Sequence, residues 1–237
     1  MVLSHLLFLL ICFSPIQGLL DAFEILTPTS EHRHCVHHLH ANFKGRGFKG
    51  KAFKNELWAA ARATNKTQFD RHMNEMKKLK EDAFTYLDKI DPATWSRHAF
   101  RTANKYDMLL NNLAESFNLW IKDARDKPLL TMLEMIRRKL MNRFEAKRDG
   151  AATATATICP KILKKLERHK DVARNYICHW KSVGQFAVDH YFEARRVVDM
   201  NEMTCSCGRW QLNGIPCAHV ISAMYFDNKT PEDFVHR

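Results

Sequence analysis

The chain has 237 residues, 46% of them hydrophobic, with only 8 glycines and 7 prolines. That length holds one substantial core or two small domains, and the apolar content excludes a disordered tail, while so few turn formers argue for helices over a many-turned β-architecture. A formal net charge of +11 predicts attraction to polyanions without specifying any geometry.

The apolar run 2–13 (VLSHLLFLLICF) reads as a buried strand or short helix. It also resembles the core of a secretory signal, a minority reading because no basic segment precedes it and no A-x-A-like cleavage site follows. It is shorter than the roughly 20 apolar residues of a membrane span, so a membrane is not an expected partner. Residues 18–26 read as a short helix stopped near Pro28. A histidine crowd follows, with Cys35 among His32, His34, His37, His38 and His40. The stretch 44–54 (KGRGFKGKAFK) is basic and punctuated by glycine. It reads as a phosphate-contacting loop leading into a helix, with Lys44, Arg46, Lys49 and Lys51 as candidate nucleic-acid contacts.

Helical spacing of Phe69, Met73, Met76, Ala83, Leu87 and Ile90 predicts a helix over about 67–90, ended by Asp91-Pro92. A second is predicted over about 105–124, with Tyr106, Leu109, Leu110, Leu113, Phe117 and Ile121 on one side. A third covers about 128–147, and the low-complexity run 150–157 (GAATATAT) reads as a linker. A fourth, opened by Pro160, is predicted to about 177. Its exposed face carries Lys161, Lys164, Lys165, Arg168 and Lys170, and the first three of these join the candidate nucleic-acid contacts. After Gly184, alternation at Phe186 and Val188, and more loosely at Val197 and Met203, predicts a two-stranded hairpin, followed by a short helix over 217–226.

Seven cysteines are an odd number, and three of them crowd into 205–217 while Cys12, Cys35, Cys159 and Cys178 are scattered. This is unlike a disulfide framework and points to a reducing compartment with a metal site. The run 204–224 (TCSCGRWQLNGIPCAHVISAM) has the form C-x-C, nine residues, C-x-H. Cys205 and Cys207 approach one point from a strand end, because side chains at i and i+2 share a face. Gly208, Asn213-Gly214 and Pro216 turn the chain back. Cys217 and His219 then open a helix, whose N-terminus favours thiolate and neutral imidazole, the forms a metal needs. Three thiolates and an imidazole suit a closed, structural zinc (Zn2+) site; the alternative is a set of free thiols in a small core.

These residues closely resemble the SWIM zinc finger, over roughly 184–226. Trp210 and the run from Gly214 to His219 resemble the version found in Mutator-like transposases, with Trp210, Leu212 and Ile215 read as packing residues. Glu31 to Phe43 is similar to that family's C-x-x-H segment, with Cys35 and His38 at the marked positions as a weaker metal or structural pair. Asn111 to Asn118 is similar to the segment bearing the family's last catalytic carboxylate, which falls on Glu115. Ile158 through Glu167 resembles the stretch before the finger. The family's chemistry uses three carboxylates on an RNase H-like fold to hold two metal ions. Here Ser14 stands where the second is expected, and the first is expected upstream of Met1. Glu115 is an isolated match, and no catalytic residue is assigned.

The resemblance therefore implies a mainly α fold. Residues 1–45 would be a truncated RNase H-like remnant and 46–182 a helical region of transposase type. Residues 184–226 would form a small β-hairpin/helix SWIM zinc finger, followed by a tail at 227–237. The implied protein is not an enzyme. It binds zinc and DNA, or a protein partner, in the nucleus, and takes no small-molecule substrate. The alternative is a part of an active DDE-type transposase whose other carboxylates lie outside this chain.

Overall fold

The computed structural model describes residues 10–11, 25–26, 31–110, 112–152 and 157–236. The predicted element at 2–13 is described only at Leu10–Ile11, a strand (β1). The predicted helix at 18–26 is described only at Ile25 and Leu26, which are helical, and Ser14 lies outside the described residues. β1 pairs in parallel with β2 (Arg33–His34). The chain then forms α1 (Val36–Gly45), α2 (Lys51–Arg62), α3 (Lys66–Leu79) and α4 (Glu81–Asp88). Next come α5 (Asn112–Trp120), α6 (Leu129–Ala152) and α7 (Pro160–Ala173).

An antiparallel sheet follows in the order β3 (Ile177–Ser182), β4 (Gln185–His190), β5 (Glu193–Asp199) and β6 (Thr204–Cys205). The last helices are α8 (Arg209–Asn213) and α9 (Ala218–Phe226). The protein is mainly helical, with a small antiparallel sheet near its C-terminus. Residues up to 110 and from 164 onward form one unit, and 111–163 form a second.

Among the described residues, the main unit has two apolar clusters. One joins Val36, Phe43, Leu57, Met73, Met76, Leu87 and Trp95 from α1–α4 and the turn after them. Four aromatic rings, Phe43, Phe48, Phe53 and Tyr86, crowd one end of it, with Phe43 and Phe48 centred 4.7 Å apart. At its margin Arg33 is almost fully buried. Its Nε and Nη2 donate to the two Glu31 oxygens at 3.0 and 2.9 Å, Nη1 donates to the Tyr106 carbonyl at 2.7 Å, and the guanidinium lies 3.7 Å from the Phe100 ring centre. The paired carboxylate, the carbonyl and the ring together replace the water that a buried cation gives up. The second cluster lies between the sheet and α9, with Phe186, Val188 and Val198 packed on Val220, Ala223 and Met224.

Several predicted elements need correction. The helix expected over 67–90 is two, because Lys80 is extended (φ −166°, ψ 126°). The break re-aims the second apolar set, so that Ala83 and Leu87 are as fully buried as Met76. The helix expected from 105 begins only at Asn112. Lys105 has φ 48°, and the following segment runs beside α1, where the Leu109 carbonyl accepts the Val36 N–H at 2.9 Å. Leu109 is buried in the helical cluster and is not part of a stripe with Phe117, which is exposed.

In the second unit α6 continues through Gly150 to Ala152, into the stretch expected to be a linker; residues 153–156 lie outside the described residues. No residue of α6 is buried, and Leu129, Leu130, Leu133, Met141 and Phe144 are exposed. The helix expected over 160–177 stops at Ala173, and the expected hairpin is the middle of a four-stranded sheet that already begins at Ile177. Met203, read as part of a strand, sits in the turn before β6 with φ 50°.

Candidate metal centre

The C-x-C segment is held by its neighbours on both sides. β6 pairs Cys205 with Val198, and the Ser206 N–H extends this pairing to the Val197 carbonyl at 2.9 Å. Cys207 lies in the turn just past the strand, where the Gly208 N–H donates to the Cys205 carbonyl at 2.8 Å. Gln211 grips the backbone of Cys205 at two points: its Nε2 donates to the carbonyl at 2.9 Å and its Oε1 accepts the N–H at 3.1 Å. Gly208 is required twice over. Its φ is +79°, and a Cβ there would stand 2.0 Å from the Thr64 carbonyl oxygen. The Thr64 hydroxyl donates to the Cys207 carbonyl at 2.6 Å, fastening the turn to the α2–α3 connection.

α8 and a left-handed Gly214 bring the chain back. Cys217 is the N-cap of α9, with His219 in its first turn. α7 steadies the approach, since His169 Nδ1 donates to the Pro216 carbonyl at 2.8 Å. Lys105 Nζ donates to the Gln211 carbonyl at 3.0 Å. Trp210, Leu212 and Ile215 are all buried, and Leu212 belongs to the helical cluster.

This frame brings Cys205, Cys207, Cys217 and His219 together, with every donor atom within 4.8 Å of the others. The four residues are 1%, 4%, 1% and 5% exposed, so water does not solvate them freely. Cys207 Sγ is 3.5 Å from Cys217 Sγ, and His219 Nδ1 is 3.6 Å from Cys217 Sγ and 3.8 Å from Cys205 Sγ. Bond lengths of about 2.3 Å to sulfur and about 2.05 Å to nitrogen give a tetrahedron with edges of about 3.5–3.8 Å. The three distances match those edges.

The thiols cannot all ionise by themselves. Hydrogen bonding to Cys207, followed by burial, pushes Cys205 up to about 12. Hydrogen bonding to Cys205 and Cys207, with burial, raises Cys217 well above the ordinary thiol range. Cys207 is driven down, because Cys205 and Cys217 hydrogen-bond to its sulfur. The cage therefore favours one thiolate and resists two more negative charges, unless a cation sits among them.

The other predicted site residues lie elsewhere. Cys35 is buried at the N-cap of α1 and His38 is on that helix; among the described residues, the finger's four form the one group of three or more such side chains that could hold a metal. Glu115 falls on α5, but its side chain lies outside the described residues. Lys44, Arg46, Lys49 and Lys51 are all exposed around the α1–α2 turn. Lys44, Lys49 and Lys51 line an open cleft of about 490 Å³ with His40, Lys54 and Asn55. Burial, then Lys54, His37 and Lys44, push the His40 pKa down.

The basic face expected on α7 is divided. Lys161 and Lys164 are exposed, whereas Lys165 is half-buried and burial pushes its ammonium pKa down, with Asp107 opposing. Lys170 is tied to Glu167 and Glu232. Sequence reasoning missed Thr64, Gln211 and His169, which hold the ligand-bearing backbone. Gln211, six residues from Cys205, lay within reach of a local reading, but contacts from Thr64 and His169 depend on the tertiary fold.

No curated protein and no solved structure matches the chain. A family model for the SWIM zinc finger matches residues 194–228, from β5 to just past the end of α9. This stretch contains all four clustered residues, and residues 194–228 are a SWIM zinc finger whose buried Cys/His cluster has the geometry to hold a metal.

Proposed function

We propose that this is a non-catalytic zinc-binding protein of Mutator-like transposase descent, which acts on DNA in the nucleus through its basic surface. The observation that carries the metal reading is the buried cluster with tetrahedral spacing. Zinc is the metal assigned, because three thiolates and one imidazole form a closed set of four without a position for substrate. Cys205, Cys207, Cys217 and His219 would hold it, and its charge would let all three thiols ionise. The metal would then serve the fold rather than a reaction.

The non-catalytic reading rests on the resemblance, which places Ser14 where the second of three metal-holding carboxylates is expected. A serine hydroxyl does not replace a carboxylate in holding two metal ions. DNA is favoured by the net charge and by the cleft at the α1–α2 turn. Among the described residues, Lys44, Lys49, Lys51 and Lys54 have no carboxylate within ion-pairing distance. Lys161 and Lys164 add exposed charge. Such contacts would read the phosphate backbone and not the bases.

The first test is elemental mass spectrometry on the purified full chain beside Cys217→Ser. About one zinc per chain, lost in the variant, is expected of a structural site. A folded wild-type chain without zinc would end the metal reading. For DNA, fluorescence anisotropy with a labelled duplex should show binding that weakens with salt and is reduced in the triple variant Lys44→Glu, Lys49→Glu, Lys51→Glu. Equal affinity in the variant would remove this cleft as the contact.

A further inference from the structure

His219 is the one cage member with a second nitrogen to satisfy. Nδ1 is the atom turned toward the sulfurs of Cys205 and Cys217. An imidazole that gives its Nδ1 lone pair to a metal carries its proton on Nε2. Here Nε2 is buried and has no hydrogen-bond partner within normal reach. The polar atom it faces is Glu193 Oε2, 3.7 Å away, on the first residue of β5. That separation lies within ion-pairing range and is about 0.8 Å longer than a typical N–H···O hydrogen bond.

The same carboxylate oxygen accepts the Tyr176 hydroxyl at 3.1 Å. The Tyr176 ring meets the His219 ring edge-on at 4.7 Å, and its carbonyl accepts the Ser222 hydroxyl, one turn along α9 from His219, at 3.3 Å. Tyr176 thus touches both the imidazole and the carboxylate, and it is anchored to the helix that carries the ligand.

We propose that Glu193 is the outer carboxylate of the metal centre, accepting the Nε2 proton of His219 so that Nδ1 is the ligating atom, with Tyr176 holding Glu193 in place. The inference rests on the metal reading above and extends it to two residues that the C-x-C and C-x-H pattern leaves out. Glu193 also lies one residue outside the stretch that matches the finger family. Outer-shell acceptors of this kind set the ring orientation and basicity of a ligating histidine, and their loss lowers metal affinity by about 10- to 100-fold.

The test is zinc competition against a chromophoric chelator on the full chain, in five forms: wild type, Glu193→Ala, Glu193→Gln, Tyr176→Phe and the exposed control Glu202→Ala. Glu193→Ala should lose about 10- to 100-fold in affinity. Glu193→Gln, which keeps a neutral acceptor, should recover part of that loss; Tyr176→Phe should lose less than Glu193→Ala, and Glu202→Ala should match wild type. Nitrogen-15 NMR of the zinc-loaded wild type should show His219 protonated at Nε2 and metal-bound at Nδ1, a readout that a merely structural role for Glu193 would not produce. Wild type that binds zinc with Glu193→Ala unchanged, or with Nε2 as the ligating atom, overturns the proposal alone. Wild type that binds no zinc overturns the metal reading, and this inference with it.

Discussion

The two apolar clusters of the main unit are filled by different means. The helical cluster is built from large side chains, with Phe43, Leu57, Met76, Leu87 and Trp95 all fully buried. The finger cluster includes Cys205, Cys207 and Cys217 beside Val188, Val198 and Met224. Thiols bury little apolar surface, and here they also carry unfavourable ionisation. The contrast teaches that one unit can combine a cluster that packing holds with one whose geometry would hold a cation.

The largest expected effect comes from removing the cation proposed for the cage. Structural zinc contributes on the order of 10 kcal/mol to folding in comparable modules at neutral pH. Chelation, or Cys217→Ser, should abolish hydrogen-exchange protection across β3–β6 and α9, while amides of α2–α4 stay protected. Mass spectrometry after deuterium labelling resolves these segments. Loss of protection in both would break the comparison and show that the helical cluster cannot stand without the finger docked through Leu212 and Thr64.

The complementary perturbation strikes the helical side. Arg33→Ala leaves the Glu31 carboxylate buried without its partner, a change that costs about 3–5 kcal/mol. Urea denaturation should register this as a lower midpoint. Replacing both partners, as Arg33→Met with Glu31→Leu, should cost less than the single change, because no unpaired charge remains. Zinc affinity should be unaltered in both variants. A single substitution no more harmful than the double one would remove the ion pair from the account of this cluster.

The same contrast explains what was legible in the sequence. The four clustered residues could be found because a metal site is written in ligand type and spacing, and Gly208, Gly214 and Pro216 mark the turns that close it. The apolar faces of α3 and α4 were legible from Phe69 to Leu87, but the break at Lys80 was not, since neither glycine nor proline announces it. The segment at 105–110 misled for a different reason: Leu109 has the spacing of a helix, but backbone pairing with Val36 and burial among α1–α4 decide its conformation. Tertiary context outweighs local preference at such positions. Strand β3 was hidden because Trp180 and Ile177 are exposed and its alternation is weak. Arg33 gave no signal, as an arginine is ordinarily a surface residue.

A smaller effect is expected where the finger meets the helices. Gly208→Ala must move either its own left-handed backbone or the Thr64 carbonyl, a strain of about 1–3 kcal/mol. Thr64→Val removes the hydroxyl that the Cys207 carbonyl accepts and leaves the glycine conformation intact. Both should weaken zinc binding and lower the urea midpoint together, since the contact joins the two clusters. A change in the midpoint with zinc affinity untouched would assign the contact to the helical side alone.

The smallest predicted effect is a pH dependence of the helical side. His34 is pushed below its ordinary pKa of 6.5 by burial. His98 is pushed the same way by burial and then by Lys66, with Asp70 opposing; its Nδ1 lies 2.9 Å from the Ser96 hydroxyl and its ring stacks on Phe69 at 4.2 Å. For both groups the folded state binds a proton less readily than the unfolded chain. Their contribution is therefore complete above the unfolded pKa and declines as pH falls through about 6.5 toward the lower folded value. The opening free energy of α3 amides, followed by hydrogen exchange from about pH 7.5 to about pH 5.5 with zinc in excess, should decrease. His98→Gln should make that decrease shallower, because it removes one group that the folded state must keep neutral. Since the His98 ring packs on Phe69 of α3, this readout follows the helical cluster even where acid also displaces metal from the thiolates. An unchanged slope in His98→Gln would mean that the acid response belongs to the finger, and that the two clusters open together.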